Sequence, residues 1–281
     1  MNSQDIQSAA GERERIEIEL LLEGLFQLYG YDFRNYAFSS VRRRIWHRVH
    51  AERLPTITAL LERVLHDRST MLRLLSDLTI HVTEMFRDPA MFRSFRQHVV
   101  PLLRTYPFIR IWHAGCSTGE EVYSMAILLK EEGLYDKARI YATDMNEHVL
   151  DSARGGVFPI ERMQTFTRNY LEAGGKEAFS QYYTAKYDSA LFHSELKSNI
   201  VFAQHNLVTD RSFNEFNVIF CRNVMIYFNK ELQNHVHSLL YESLSTFGVL
   251  ALGTKESISF TRHAGAYEEL CPQSRLYRKI K

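Results

Sequence analysis

Cysteine is scarce in this chain: Cys116, Cys221 and Cys271 are the only three among 281 residues. They are odd in number, far apart and without C-x-x-C spacing. Neither a disulfide framework nor a thiolate zinc site is expected, and a reducing, cytoplasmic setting fits. Long apolar runs are also missing. Nothing approaches the ~18 residues of a membrane span, and the first residues, MNSQDIQSAAGERER, lack the hydrophobic core of a signal peptide. No membrane insertion is expected. An excess of one charge is lacking too: 34 Lys and Arg stand against 33 Asp and Glu, a net charge of +1. No global field draws the chain to nucleic acid or to an acidic membrane. His235 and His237 lie two apart on a helical segment and so face different ways, which leaves no metal site to assign.

What is present is ordinary globular material, 45% hydrophobic and 24% charged, enough to build a core. The length suits one large or two modest domains. Residues 12–29 carry apolar side chains at helical spacing and stop before Gly30. Ser39 and Ser40 are candidate caps for a second helix reaching about Arg53. Pro55 opens a third, and residues 69–80 read as a fourth. No β-run interrupts them, so a helical domain is expected over 1–78.

The pattern then changes, and 79–281 reads as an α/β domain. Asp88-Pro89 starts a helix with Asp as N-cap and Pro at the first helical position, and Pro101 kinks or restarts it. Strands are expected at 108–113, 138–143, 199–204, 216–221, 248–253 and 274–281, with helices at 120–132, 147–154 and 230–244. Such alternation predicts a mostly parallel sheet with helices on both faces. Residues 163–198 break the rhythm with a helical stretch near 174–182 and Tyr/Phe-rich pieces. They read as an inserted, small antiparallel unit.

In an open α/β sheet, ligands sit beyond the carboxyl ends of the strands. The first strand is followed by Gly115-Cys116-Ser117-Thr118-Gly119-Glu120-Glu121. This turn is neither G-x-G-x-x-G nor a P-loop, and its acids would repel a phosphate. They suit a cationic ligand, or alternatively only the helix dipole. Asp144, after the second strand, could accept both ribose hydroxyls of an adenosine or cap the next helix. His205-Asn206-Leu207 and Arg222-Asn223 followed by VMIYF occupy the next two mouths. Cys116 and Cys221 read as packing residues.

Four segments, HVTEMFRDPAMF, IRIWHAGCSTGEEVYSMAI, YATDMNEHVLDSARGGVF and FNVIFCRNVMIYFNK, resemble in order and spacing the CheR family of chemoreceptor glutamate methyltransferases. The resemblance runs from about residue 20 onward and is densest over 80–230. It implies an N-terminal all-helical domain followed by a Rossmann-like domain that binds S-adenosylmethionine (SAM), with a small antiparallel β-subdomain inserted. It implies that Thr83, Arg87, Glu121, Asp144, Asn206, Leu207, Arg222 and Asn223 line the SAM site, and that Arg87 and Tyr227 lie nearest the transferred methyl. Two positions depart from the family pattern. His81 stands where members often have Asn, and a late GHSE motif here reads Gly253-Thr254-Lys255-Glu256.

The implied products are a glutamate methyl ester and S-adenosylhomocysteine. A glutamate of pKa near ~4.3 is already ionised at neutral pH, so no strong general base is required. The task is to desolvate and aim a carboxylate. Arg87 could hold one of its oxygens, or else pair with Asp88, while the Tyr227 hydroxyl could donate another bond. Between residues 33 and 53, arginines 34, 42, 43, 44, 48 and 53 face a single acid, Glu52. This stretch could dock the Glu-rich helical region of a methyl-accepting chemotaxis receptor, form a solvated face, or, less fittingly at this net charge, meet nucleic acid. Two other functions stay open: a SAM-binding regulatory module without useful catalysis, and methylation of a different signalling protein.

Overall fold

The computed structural model describes residues 3–79 and 82–281, and His81 lies outside them. The chain forms two compact units. One comprises residues 1–80 with the short segment 227–233, and the other the remainder.

The first unit is helical. Helix α1 (Ser3–Tyr29) buries Ile18, Leu21, Leu22 and Leu25, one stripe at helical spacing. It ends where Gly30 turns left-handed at φ +77°. Helix α2 (Phe38–Ala51) buries Val41, Ile45 and Val49. The expected serine caps are not used: Ala37 occupies the N-cap and both serines lie inside the first turn. The cause is tertiary. The Ala37 N–H donates to the Tyr227 carbonyl at 2.8 Å, and Tyr36 pairs with Phe228 as an isolated β-bridge. The helix start is thus fixed by the 227–233 segment. Thr56, rather than Pro55, begins helix α3 (Ile57–His66), its hydroxyl accepting from the Ala59 N–H at 3.1 Å. Asp67 caps helix α4 (Arg68–Leu78) through the N–H groups of Ser69 and Thr70.

The second unit is built on a seven-stranded sheet. In chain order its strands are β1 (Ile109–Ala114), β2 (Ala138–Asp144), β6 (Ile200–Gln204), β7 (Phe216–Cys221), β8 (Leu244–Leu252), β9 (Tyr267–Cys271) and β10 (Leu276–Lys279). Their spatial order is β6-β2-β1-β7-β8-β10-β9. The first five run parallel, and β10 lies antiparallel between β8 and β9. Strand β9 carries Glu268 and Glu269 and lacks a clean apolar pattern, which is why its sequence is not read as a strand. Helix α7 (Glu120–Glu131) is buried from Val122 to Leu129, and its apolar side chains join Phe92, Phe95, Ile111, Val218 and Phe220 in one core.

Two local expectations change. Asp88 precedes helix α5 (Pro89–Ser94) but makes no side-chain cap, because its backbone is left-handed at φ 57°. Proline at 101 has no N–H for the preceding turn; the chain widens into a π turn at Phe95–Val99 and resumes as α6 (Val100–Arg104).

After helix α8 (Glu147–Gly155), a separate antiparallel sheet is inserted, in the order β3 (Val157–Pro159), β5 (Ser189–Phe192), β4 (Tyr183–Lys186). The helix within it, α9, spans Met163–Glu172, whereas 174–182 contributes only a 3-10 turn at Phe179–Tyr182. Gly174 turns left-handed at φ +79°, which takes the chain out of the helix, and only glycine fits at 175 beside the Tyr170 ring. The buried carboxylate of Glu131 accepts hydrogen bonds from the Tyr170 and Tyr182 phenols and from Arg96, which ties the insertion to the end of α7. Replacing Thr56 by Ala removes an N-cap and is expected to cost the helical unit about 1 kcal/mol, read as a lower urea midpoint at unchanged slope.

Candidate active site at the strand mouth

At the carboxyl end of β1 the chain must turn within three residues. The N–H groups of Gly115 and Cys116 both donate to the Thr143 carbonyl of β2, each at 2.8 Å. Gly115 sits at φ +77°, and a Cβ there would lie 2.6 Å from a methyl of Val224, so glycine is required. Ser117 follows at φ 52°. Its N–H donates to Asp144 Oδ2 at 3.0 Å, while the Asn146 N–H donates to Oδ1 at 3.0 Å. Asp144 therefore stands between the first two mouths, and the helix-capping role is filled instead by Asn146, which accepts from the His148 N–H. The third mouth joins them through the His205 N–H, bonded to the Asp144 carbonyl at 3.1 Å. There Asn206 caps a turn at the Val208 N–H, and Leu207 is buried.

A buried ion cluster holds the other side. The Arg222 side chain is only 1% exposed. It donates to Asp88 Oδ2 at 2.5 Å and Glu121 Oε2 at 2.7 Å, and lies 3.4 Å from the Arg87 carbonyl. The other Glu121 oxygen meets His113 Nδ1 at 3.0 Å, and that imidazole stacks on Phe220. Burial pushes the Glu121 carboxyl up, but the Arg222 charge and the His113 hydrogen bond outweigh it and hold it at about 2. Glu120 plays a different part. Its carboxylate accepts from Thr118 at 2.6 Å and Arg162 at 2.8 Å, with burial pushing its carboxyl up. Arg162 also donates to the Thr83 carbonyl.

The loop from Thr83 to Asp88 is thus held from both ends. Phe86 and Asp88 are both left-handed, at φ 52° and 57°, conformations that persist only where surroundings enforce them. The Phe86 N–H donates to Ser124 Oγ at 2.8 Å. Asp88 is committed to Arg222, so the alternative Arg87–Asp88 pair does not form. Arg87 donates to the Val82 carbonyl at 3.0 Å and makes no ion pair among the described residues. Asn223, left-handed at φ 60°, completes this side.

Tyr227 belongs to the helical unit, where the Arg44 guanidinium lies 5.3 Å from its ring. Most arginines of that unit are already neutralised. Arg34 pairs with Asp32 and Glu23, Arg42 with Glu14, and Arg48 with Asp77 and Glu52. Arg44 is buried on the Leu78 carbonyl. Among the described residues, Arg43 and Arg53 form no ion pair.

Reading by motif missed Asp88, His113 and Arg162 as parts of this site. Asp88 was visible but assigned to a cap, whereas Arg162 carried no local signal, because only the insertion brings it to Glu120. The Cys116 and Cys221 thiols stay structural, because burial pushes both far above the ordinary range. No three His, Cys, Asp or Glu side chains converge as a metal site among the described residues.

Comparison with known proteins decides the family. Residues 16–79 match the all-alpha domain of CheR methyltransferases, and residues 81–271 match the SAM-binding domain of CheR methyltransferases. The chain belongs to the CheR methyltransferase family. It is 51% identical to "Putative methyltransferase Cher3" of Pseudomonas putida, over 94% of this chain and 97% of that protein. It is 30% identical to "Chemotaxis protein methyltransferase 2" of Pseudomonas aeruginosa, over 89% of each, and 29% identical to a chemotaxis protein methyltransferase of Listeria innocua, over 82% and 85%. As a CheR protein it is a SAM-dependent methyltransferase. Its strand mouth fits that cofactor. Asp88, Glu121 and Asp144 gather carboxylates with no phosphate cradle, and three buried atoms, Ser117 Oγ, His113 Nε2 and Arg222 Nε, have no hydrogen-bond partner. No described helix is long and apolar enough to cross a membrane.

The depressed Glu121 pKa has a consequence for pH. Ionised Glu121 stabilises the fold fully above its unfolded value of ~4.3, and this contribution is lost as pH falls through about 2. Glu121→Gln is expected to unfold more easily at neutral pH and to show a flatter loss of stability between about pH 4.5 and 2, measured by urea unfolding across that range.

Proposed function

We propose that this CheR protein transfers the methyl group to glutamate side chains of methyl-accepting chemotaxis receptors, forming methyl esters. The observation that carries the reading is Arg87. Its guanidinium is partly exposed, carries no acidic partner among the described residues, and rides on a loop pinned by Arg222 and Arg162. An arginine so placed suits an incoming carboxylate.

SAM, when bound, supplies a methyl on a sulfonium that leaves as the neutral thioether of S-adenosylhomocysteine. Asp144 would accept the ribose hydroxyls; a carboxylate oxygen accepts more than one hydrogen bond, so its backbone donors do not preclude this. Thr83, Asn206, Leu207 and Asn223 would line the same site, with Glu121 and Arg222 supplying its charged wall. The substrate glutamate arrives ionised, so the chain needs no general base, consistent with a mouth whose acids are held by cations and backbone N–H groups. Arg87 orients the carboxylate. Within the 33–53 stretch, Arg43 and Arg53 have charge to offer an acidic receptor helix.

Incubating the protein with methyl-labelled SAM and receptor-bearing membranes is expected to give label that is released as methanol by base. Base-stable label would point to nitrogen methylation and a different acceptor. Asp144→Ala is expected to abolish measurable SAM binding with the fold intact. Arg87→Ala should lower transfer by about 100-fold or more while SAM still binds; wild-type turnover would remove Arg87 from the mechanism.

A further inference from the structure

Glu256 lies in the loop after β8 and is itself buried, 5% exposed. Its carboxylate accepts four backbone hydrogen bonds. Oε1 takes the N–H groups of Val224 at 2.9 Å and Met225 at 2.8 Å; Oε2 takes those of Asn223 at 2.9 Å and Gly253 at 2.7 Å. Three consecutive N–H groups pointing at one anion define a concave backbone nest, here filled by a side chain. The nest is the turn that leaves β7, the turn in which Asn223 is held left-handed at φ 60°.

Space around the clamp is as restricted as its hydrogen bonding. A Cβ at Gly253 would lie 2.7 Å from Glu256 Oε2 and 2.9 Å from the Asn223 nitrogen. Glycine at 253 therefore leaves the room that the carboxylate and the Asn223 backbone occupy. Lys255 is exposed and takes no part. The departure at Lys255 from the family pattern therefore leaves the acting group untouched.

We infer that Glu256 is a positioning residue for the SAM site: its carboxylate organises the Asn223–Met225 turn so that Asn223 faces the cofactor. This rests on the reading that Asn223 lines the site. Alternatives for a buried carboxylate are weaker here. All four donors are backbone groups of two adjoining loops, no cation pairs with it among the described residues, and no metal-ligating side chain accompanies it.

The test is calorimetric titration of the full chain with SAM. Asn223→Ala examines the site reading alone, and weakened binding is expected. Glu256→Gln keeps the side-chain shape but turns an NH2 group toward backbone donors. It is expected to weaken SAM binding about tenfold, as loss of a supporting group behind a ligand contact commonly does. Because Glu256 would act through Asn223, the double variant should bind no more weakly than the weaker single variant. Lys255→Ala should bind as wild type. Should Glu256→Gln not fold, Gly253→Ala disturbs the same clamp with every donor and acceptor retained, and weaker binding is again expected.

Weak binding by Asn223→Ala together with wild-type affinity in the folded clamp variant would overturn the inference. So would additive losses in the double variant. Wild-type affinity in Asn223→Ala would instead remove the site reading on which the inference rests.

Discussion

A guanidinium buried away from water is costly, and that cost organises the catalytic unit. Arg222 is buried with carboxylates drawn in to meet it, and removing one partner from such a group leaves an uncompensated charge, an effect of about 3–5 kcal/mol. Asp88 and Glu121 supply those partners. Asp88 comes from a left-handed loop, Glu121 from the first turn of α7, and His113, behind Glu121, from β1. One cation from the end of β7 therefore ties down a loop 134 residues earlier and a helix 101 residues earlier in the chain. The Arg87 carbonyl lies against the same cation, so the half-buried Arg87 rides on a backbone that a buried neighbour holds.

Much of this architecture was legible in the amino-acid sequence. The parallel strands announce themselves as short apolar runs followed by glycine, Asp or Asn, and α7 as an unbroken apolar helix. The site was legible as positions rather than as partners. Asp144, Arg222 and Asn223 stand at strand ends, as the rule for open sheets requires, and Glu121 in the helix turn that follows β1. Their pairing was not readable, because adjacent residues offer competing local explanations. Asp88 beside proline reads as a helix cap, and Glu120 beside Glu121 reads as its twin. Only tertiary structure sends one acid to Arg162 and the other to Arg222. The insertion was the least legible part, since its helix ends at a Gly174-Gly175 pair whose effect depends on the Tyr170 ring.

The helical unit shows how far charge counting can mislead. Six arginines against one local acid suggest a strongly basic face. Glu14, Glu23, Asp32 and Asp77, outside or at the margin of that stretch, return to neutralise most of it. The remaining field is local, centred on Arg43 and Arg53. The same unit takes residues 227–233 from the middle of the catalytic sequence and uses their backbone to start α2. Domain composition here does not follow chain order.

Strand order carries a consequence for synthesis. Strand β10 is inserted between β8 and β9, both of which precede it in the chain. As the polypeptide emerges from a ribosome, β8 exposes an open edge and β9 has nothing to pair with until Leu276–Lys279 appears. Five parallel strands can assemble earlier, but the sheet is sealed last, at the side away from β6. Until that moment the nascent chain presents an unpaired apolar edge of the kind that recruits chaperones or neighbouring chains.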